Sequence, residues 1–388
     1  MIGQSSTRTL CCLAPAVVCS LAGLWISVPV RGAQLPKVQV YRDRELMAPP
    51  EIKLHLQQLR TTGDARKWKF QVGFTTATGV DPKLLCGDVI PKNIKEIARI
   101  HNQAAQQIQK LDRQALASYL KTHPGMGPRL ATNCVANLPS WDWRTAGKVT
   151  PIRHQACGDC WAYGVIAALE SSYLIRNGLT SDESEHFLVA NSGAGDCSGG
   201  TRATANAFLV SHGTAAATAD PDTGMDTPKL ASLATPYEGL ATGFVDASVE
   251  IPTVQQIKQA LCEYGPLSAS VNATPAFQSY TDGVFNEFNP GETNHAICII
   301  GWDDSKGAWL IKNSWGDTWG DTCGYGTERG YMWIAYGCNK VGRWAQWIQA
   351  KSNLYTIPIK LLENPMRLYT TIHNLQEFKP EFEPVIVR

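Results

Sequence analysis

The sequence predicts a chain in which helices and strands occupy separate stretches, and three observations carry that expectation. From about Cys160 to Arg176, Trp161, Ala168, Leu169 and Tyr173 can share one helical face, and Asn177-Gly178 supplies a left-handed stop. Ile297-Cys298-Ile299-Ile300 and the run Trp309 to Trp315 are short, apolar and strand-like. Ahead of both, Asn93 to Tyr119 repeats Ile94, Ile97, Ile100, Ala104, Ile108 and Leu111 with helical period.

At 388 residues, 44% of them hydrophobic, the chain can form one large domain plus smaller segments. A formal net charge of +1 gives no support for nucleic-acid or strongly cationic membrane-surface binding. Twelve cysteines are many for a cytosolic enzyme and ordinary for an exported one. Export has a signal of its own. Arg8 precedes an uncharged stretch from Thr9 to Val30 that ends in small residues near Ala33, the pattern of a signal peptide over residues 1–33. An uncleaved anchor is the alternative, and Pro15 and Pro29 make the stretch a poor spanning helix. Cleavage would remove Cys11, Cys12 and Cys19, and a secreted, periplasmic or lysosome-like location follows; membrane contact is expected only if the segment stays.

Residues 34–136 read as a folded arm and a linker. Trp68 to Thr75 alternates like a strand, with Trp68, Phe70, Val72 and Phe74 on one side. The helical run follows, and His123-Pro124-Gly125-Met126-Gly127-Pro128 breaks it. The arm is either an ordinary N-terminal domain or a removable segment that covers a site.

The chemistry begins at Gln155-Ala156-Cys157-Gly158-Asp159-Cys160. Cys160 stands where a loop enters a helix, and the unpaired N–H groups of a first turn favour a thiolate. His295 heads an apolar strand-like run and is the candidate base. Asn313 has a side-chain carbonyl able to accept from the other ring nitrogen and fix its tautomer. An imidazolium beside a thiolate stabilises the ion pair and can then protonate a leaving amine.

Six ordered blocks carry a resemblance. They are Leu138 to Gln155 leading into the cysteine turn; Ser184 to Val189; Cys197-Ser198-Gly199-Gly200; Gly265-Pro266-Leu267-Ser268; Asn294-His295-Ala296; and Ile311 to Gly316 followed by Trp319-Gly320. Together they resemble papain-like cysteine peptidases over roughly Leu138 to Cys338. The resemblance implies an α+β fold with a helical half holding Cys160, an antiparallel β half holding His295 and Asn313, and a cleft between. It implies a peptidase domain over 137–348, a propeptide over 34–136 that acts as inhibitor by analogy, and a C-terminal extension over 349–388. No helical propeptide signature stands cleanly in the arm, where Glu96, Arg99 and Asn102 have another spacing.

The same resemblance implies that Cys157 pairs with Cys197, that Gly199 and Gly200 bond an extended substrate through their backbone, and that Trp315 shields the His295–Asn313 contact from water. The oxyanion donor departs from the family pattern. Gln155 lies five positions before Cys160 rather than six, where His154 stands, so Gln155 is the favoured donor and His154 the alternative. Asp159, where a small residue is usual, either raises the thiol pKa or caps the helix. Asn191 replaces a common cysteine, and its partner after Thr235-Pro236-Tyr237 is missing as well. Cys323 with Cys338, and Cys86 with Cys134, are further candidate bridges, while Cys298 and Cys262 read as buried free thiols.

Thr201, Arg202, Ser270 and Thr293 resemble the wall of the principal specificity pocket and are small, polar or cationic. That composition suits a polar or acidic substrate side chain with Arg202 as counter-charge; the alternative is an Arg202 that points to solvent. The tail offers a strand at Leu354–Ile359 and an extended stretch at Glu377–Pro384.

The reading is thus an exported precursor of a cysteine peptidase that forms an acyl-thioester on Cys160, with no cofactor and no metal. Its partners are a peptide or protein substrate and its own propeptide, and not nucleic acid. The competing readings are a non-catalytic secreted binding module on the same fold, and a thiol oxidoreductase using Cys157 and Cys160.

Overall fold

Proline and glycine punctuate the arm. Pro50 opens a helix where no backbone N–H is needed, so after α1 (Gln39–Leu46) the chain turns into α2 (Pro50–Arg66). A strand, β1 (Lys69–Val72), and a long helix, α3 (Ile94–Thr122), complete the arm. These coordinates are a computed structural model that describes residues 39–126, 133–227 and 232–375. The predicted signal at 1–33 and the extended stretch at 377–384 lie outside the described residues. Among those described, no helix is long and apolar enough to cross a membrane.

The rest of the chain supplies β2 (Ser140–Asp142), α4 (Cys160–Asn177), α5 (Glu185–Asn191), β3 (Gly195–Asp196), β4 (Gly199–Gly200), α6 (Arg202–Ser211) and β5 (Gly239–Phe244). It continues with α7 (Val254–Tyr264), β6 (Leu267–Val271), α8 (Pro275–Gln278), β7 (Tyr280–Phe285), β8 (His295–Asp303), β9 (Ala308–Lys312), β10 (Tyr331–Ala335), β11 (Arg343–Ala350) and α9 (Ile359–Leu375). Local chemistry sets the ends: Thr253 and Gln256 form a reciprocal capping box on α7, and Gly178, at φ 63°, closes α4.

One sheet of nine strands runs β1-β7-β10-β9-β8-β6-β11-β5, with β2 paired to β8. Its neighbours are antiparallel except β7 and β10, which are parallel. β8 is buried along nearly its whole length because α4 packs across it and β6 and β9 flank it. Both the strand and the long helix of the arm join this body. β1 adds an edge strand to β7, and α3 lies against β5 with Ile97, Ala104 and Ile108 fully buried. The α+β expectation holds, with strands concentrated where His295 and Asn313 lie.

Several expectations need correction. Cys134 bridges Cys262 on α7 across a Cα separation of 5.0 Å, within disulfide reach, so neither Cys86–Cys134 nor a free Cys262 stands. Cys86, Cys323 and Cys338 are free thiols, and Cys323 and Cys338 are not paired with each other; Cys298 is free and buried. Leu354–Ile359 is no strand. Pro358 interrupts it, and from Ile359 the residues Leu362, Met366 and Tyr369 recur at helical spacing, giving α9 on α3 and α6. Asn191 ends α5, its amide donating to the Phe187 carbonyl (3.0 Å).

Candidate active site

Cys160 is the first residue of α4 and is fully buried. Two elements hold it there. Cys157 is bonded to Cys197, and the Gly158 N–H donates to the Cys197 carbonyl (2.9 Å), so the turn before the helix is stitched to the β3–β4 hairpin. This pairing removes the Cys157/Cys160 dithiol that an oxidoreductase would need. Asp159 does neither thing expected of it. Its side chain makes no cap, both carboxyl oxygens are buried without a hydrogen-bond partner among the described residues, and burial, then the charges of Asp222 and Asp226, push its pKa up to about 8. At neutral pH it is largely uncharged.

From the sheet side, His295 opens β8, pinned opposite Val271 of β6. Asn313 follows β9, and its Oδ1 lies 2.7 Å from His295 Nε2. The Trp315 ring stacks obliquely on the imidazole (centroids 4.5 Å apart), and Phe277 meets it edge-on at 6.2 Å. This cover leaves His295 and Asn313 buried, which strengthens their contact. The two halves meet at the sulfur: the N–H of Ala296, the residue after His295, donates to Cys160 Sγ (3.4 Å).

The oxyanion-donor candidates separate clearly. His154 is exposed, whereas Gln155 is buried with its amide turned into the cleft. Gln155 Nε2 donates to the carbonyls of Cys157 (2.6 Å) and Leu85 (3.2 Å), and its Oε1 accepts from Ser314 Oγ (2.6 Å). Ser314, which the sequence did not single out, thus orients the amide.

The arm fills the cleft. The Gly87 N–H donates to Cys160 Sγ (3.2 Å), Gly200 donates to the Gly87 carbonyl (2.8 Å), and Val89 donates to the Gly200 carbonyl (2.9 Å). Gly200 therefore bonds the extended backbone of the arm, in parallel with Asp88. Gly87 is required by close approach, since a Cβ there would lie 1.8 Å from the Gly158 carbonyl oxygen. With the cleft closed, burial, then the Asp88 and Cys86 charges, raise the Cys160 pKa well above the ordinary thiol range, against the opposing Gly87 and Ala296 N–H groups. Burial also lowers that of His295 to about 4, against Asn313, the Asp88 charge and the Leu85 carbonyl. Both groups are neutral in this state.

Among the pocket residues, Arg202 is buried rather than pointing to solvent, and it pairs with Asp88 at 3.0 Å. Ser270 joins that pair. Thr293 instead accepts from Arg343 Nη1 (3.3 Å), and Thr201 precedes α6 without capping it through its side chain.

A family model described as papain family cysteine protease matches residues 138–349, more than half of the chain. The chain belongs to the papain family of cysteine proteases. Its relatives in that family include cysteine proteinase 2 of Entamoeba histolytica, 35% identical over 216 residues, which cover 49% of this chain and 66% of that protein. Cathepsin L of Sarcophaga peregrina is 34% identical over 224 residues, covering 52% and 59%, and cathepsin K of Gallus gallus is 33% identical over 216, covering 51% and 61%. The chain thus spans about three fifths to two thirds of the length of these papain-family relatives. The digestive procathepsin L2 proteinase of Tenebrio molitor shares the fold at a TM-score of 0.59 and 20% identity, over 81% of this chain and 99% of that one. That likeness reaches beyond the stretch the papain family model matches.

Proposed function

We propose that the chain is the precursor of an exported cysteine peptidase whose nucleophile is Cys160. In the opened cleft the thiolate adds to a peptide carbonyl, and the Gln155 amide and the Cys160 N–H donate to the oxyanion. His295, oriented by Asn313, protonates the departing amine, and water then hydrolyses the acyl-thioester. The observation that carries this is the contact of the helix-start sulfur with the residue following His295, whose ring is held by Asn313 at 2.7 Å. Two disulfides fit an oxidising compartment.

Residues 34–136 act as the inhibitor. An N–H rather than a carbonyl faces the sulfur, so the thiol meets no electrophile, and the cleft is closed to substrate. Because Cys134 is bonded to Cys262, a maturing cut ahead of Cys134 frees the arm and a cut after it leaves the arm tethered. The test is labelling with a thiol-directed epoxide. The matured protein labels at Cys160 alone, the intact precursor labels far more slowly, and His295→Ala slows labelling of the matured form about 100-fold or more. Labelling indifferent to His295→Ala would favour the non-catalytic binding module.

A further inference from the structure

Among the described residues, the domain that carries the thiol builds a cationic pocket and supplies no counter-charge for it. Arg202 is 1% exposed at the start of α6. Its Nη1 donates to the carbonyls of Ser268 (3.0 Å) and Trp344 (3.2 Å) and faces Ser268 Oγ (3.3 Å), while Nη2 donates to Ser270 Oγ (2.7 Å). Those acceptors are all neutral. The carboxylate that pairs with the guanidinium is Asp88, through Nε to Oδ1 at 3.0 Å, and Ser270 donates to the other Asp88 oxygen. Asp88 is on the arm. The other arginine on this side, Arg343, is already held by Glu250 (2.8 Å) and by Glu292 (2.5 Å).

Asp88 reaches the pocket as a peptide in the cleft would. Its neighbour Gly87 touches the sulfur, and its flanking backbone is bonded to Gly200 on both sides. The pocket mouth is therefore one residue along the chain from the backbone at the thiol, so the side chain it receives belongs to a residue within two of the scissile bond. When the arm leaves, the guanidinium loses its ion pair, a strongly unfavourable state for a buried charge. The Arg202 Nε–H and the Ser270 hydroxyl together match a carboxylate in two-point contact.

We infer that the pocket formed by Arg202, Ser268 and Ser270 selects substrates with an acidic side chain, aspartate above glutamate, and that Asp88 is its occupant in the precursor. Aspartate is favoured because Asp88 already reaches both Arg202 and Ser270, and a longer side chain overfills the same depth. The inference rests on the peptidase reading above and names the substrate class of that site.

The experiment uses the full chain matured by limited proteolysis ahead of Cys134. Epoxide titration first counts competent Cys160. Internally quenched peptides then carry Asp, Glu, Asn or Leu in turn at each of the two positions on either side of the cleavage point. At one position Asp exceeds both Asn and Leu in kcat/KM by about tenfold or more. In Arg202→Met the Asp-to-Leu ratio falls to one or below. The contrast of Asp with Asn in the unaltered protein needs no variant, so it stands even if Arg202→Met does not fold. A labelled enzyme that cleaves the Leu peptide at least as well as the Asp peptide at every position overturns the inference and leaves the peptidase reading intact, as does an Asp preference that survives Arg202→Met. A protein that neither labels nor cleaves any peptide overturns the peptidase reading and the inference with it.

Discussion

Two of the regions in which the arm meets the protease domain obey different physics. Along α3 the contact is apolar and non-directional: Ile97, Ala104 and Ile108 are fully buried, and Asn102 satisfies the Phe244 backbone through bonds of 2.7 and 3.1 Å. In the cleft, residues 85–89 are held instead by backbone hydrogen bonds and one ion pair. Burial of α3 contributes through the apolar area it removes from water. The cleft stretch decides what the sulfur faces. The apolar contact and the contact with the sulfur are thus made by different stretches of the arm.

A substitution at Gly87 breaks the comparison most sharply. Gly87→Val brings a side chain onto the Gly158 carbonyl, 1.8 Å from where its Cβ would stand, so the stretch cannot seat. Alkylation of Cys160 in the uncleaved chain, followed by mass spectrometry, is expected to accelerate on the order of a hundredfold as local closure is lost. The α3 contact remains, so the thermal midpoint moves only slightly. Unchanged alkylation would mean that blocking does not depend on this stretch.

The same contrast explains what the sequence could reveal. The α3 stripe and the span of α4 were legible because hydrophobic period and a terminal glycine are local signals. Cys160, His295 and Asn313 were legible because each stands in a short ordered block. The Asp88–Arg202 pair was not, because 114 positions separate two residues that pattern alone leaves equally suited to solvent. Cys134–Cys262, 128 apart, failed for the same reason. Gly87 shows a missing side chain but not the carbonyl that makes its absence necessary. The strand assigned at Leu354–Ile359 erred because six residues are too few to show a helical period that only begins at Ile359.

Asp159 sharpens the thiol side of the comparison. Its folded pKa of about 8 stands above the ordinary carboxylate range, so between about pH 4 and pH 8 the folded protein keeps a proton that the unfolded chain has lost. Stability therefore falls as pH rises through that window. Asp159→Asn should remove the slope, with no gain at pH 4 and a gain of about 4 kcal/mol near pH 7, read from denaturant midpoints at each pH. An unchanged slope would mean that the carboxyl ionises freely at the start of α4.

His101 tests the α3 side and has the smallest expected effect. The ring is fully buried between Phe244 (5.7 Å) and Tyr369 (5.2 Å), neither nitrogen has a hydrogen-bond partner among the described residues, and burial lowers its pKa to about 3. An undocked His101 titrates near 6.5, so between about pH 6.5 and pH 3 the undocked form binds the extra proton. The contribution is complete above that window and is lost as pH falls through it, reaching roughly 2 kcal/mol at pH 5. Acid should therefore loosen α3, whereas the backbone hydrogen bonds of the cleft stretch are made by groups that do not titrate. Hydrogen exchange of α3 amides at pH 7 and pH 5 reads this directly, and His101→Phe, which keeps an aromatic ring against Tyr369, should make the two profiles coincide. If the acid-induced loosening persists in that variant, it originates in another group and the α3 contact is not the acid-sensitive half of the arm.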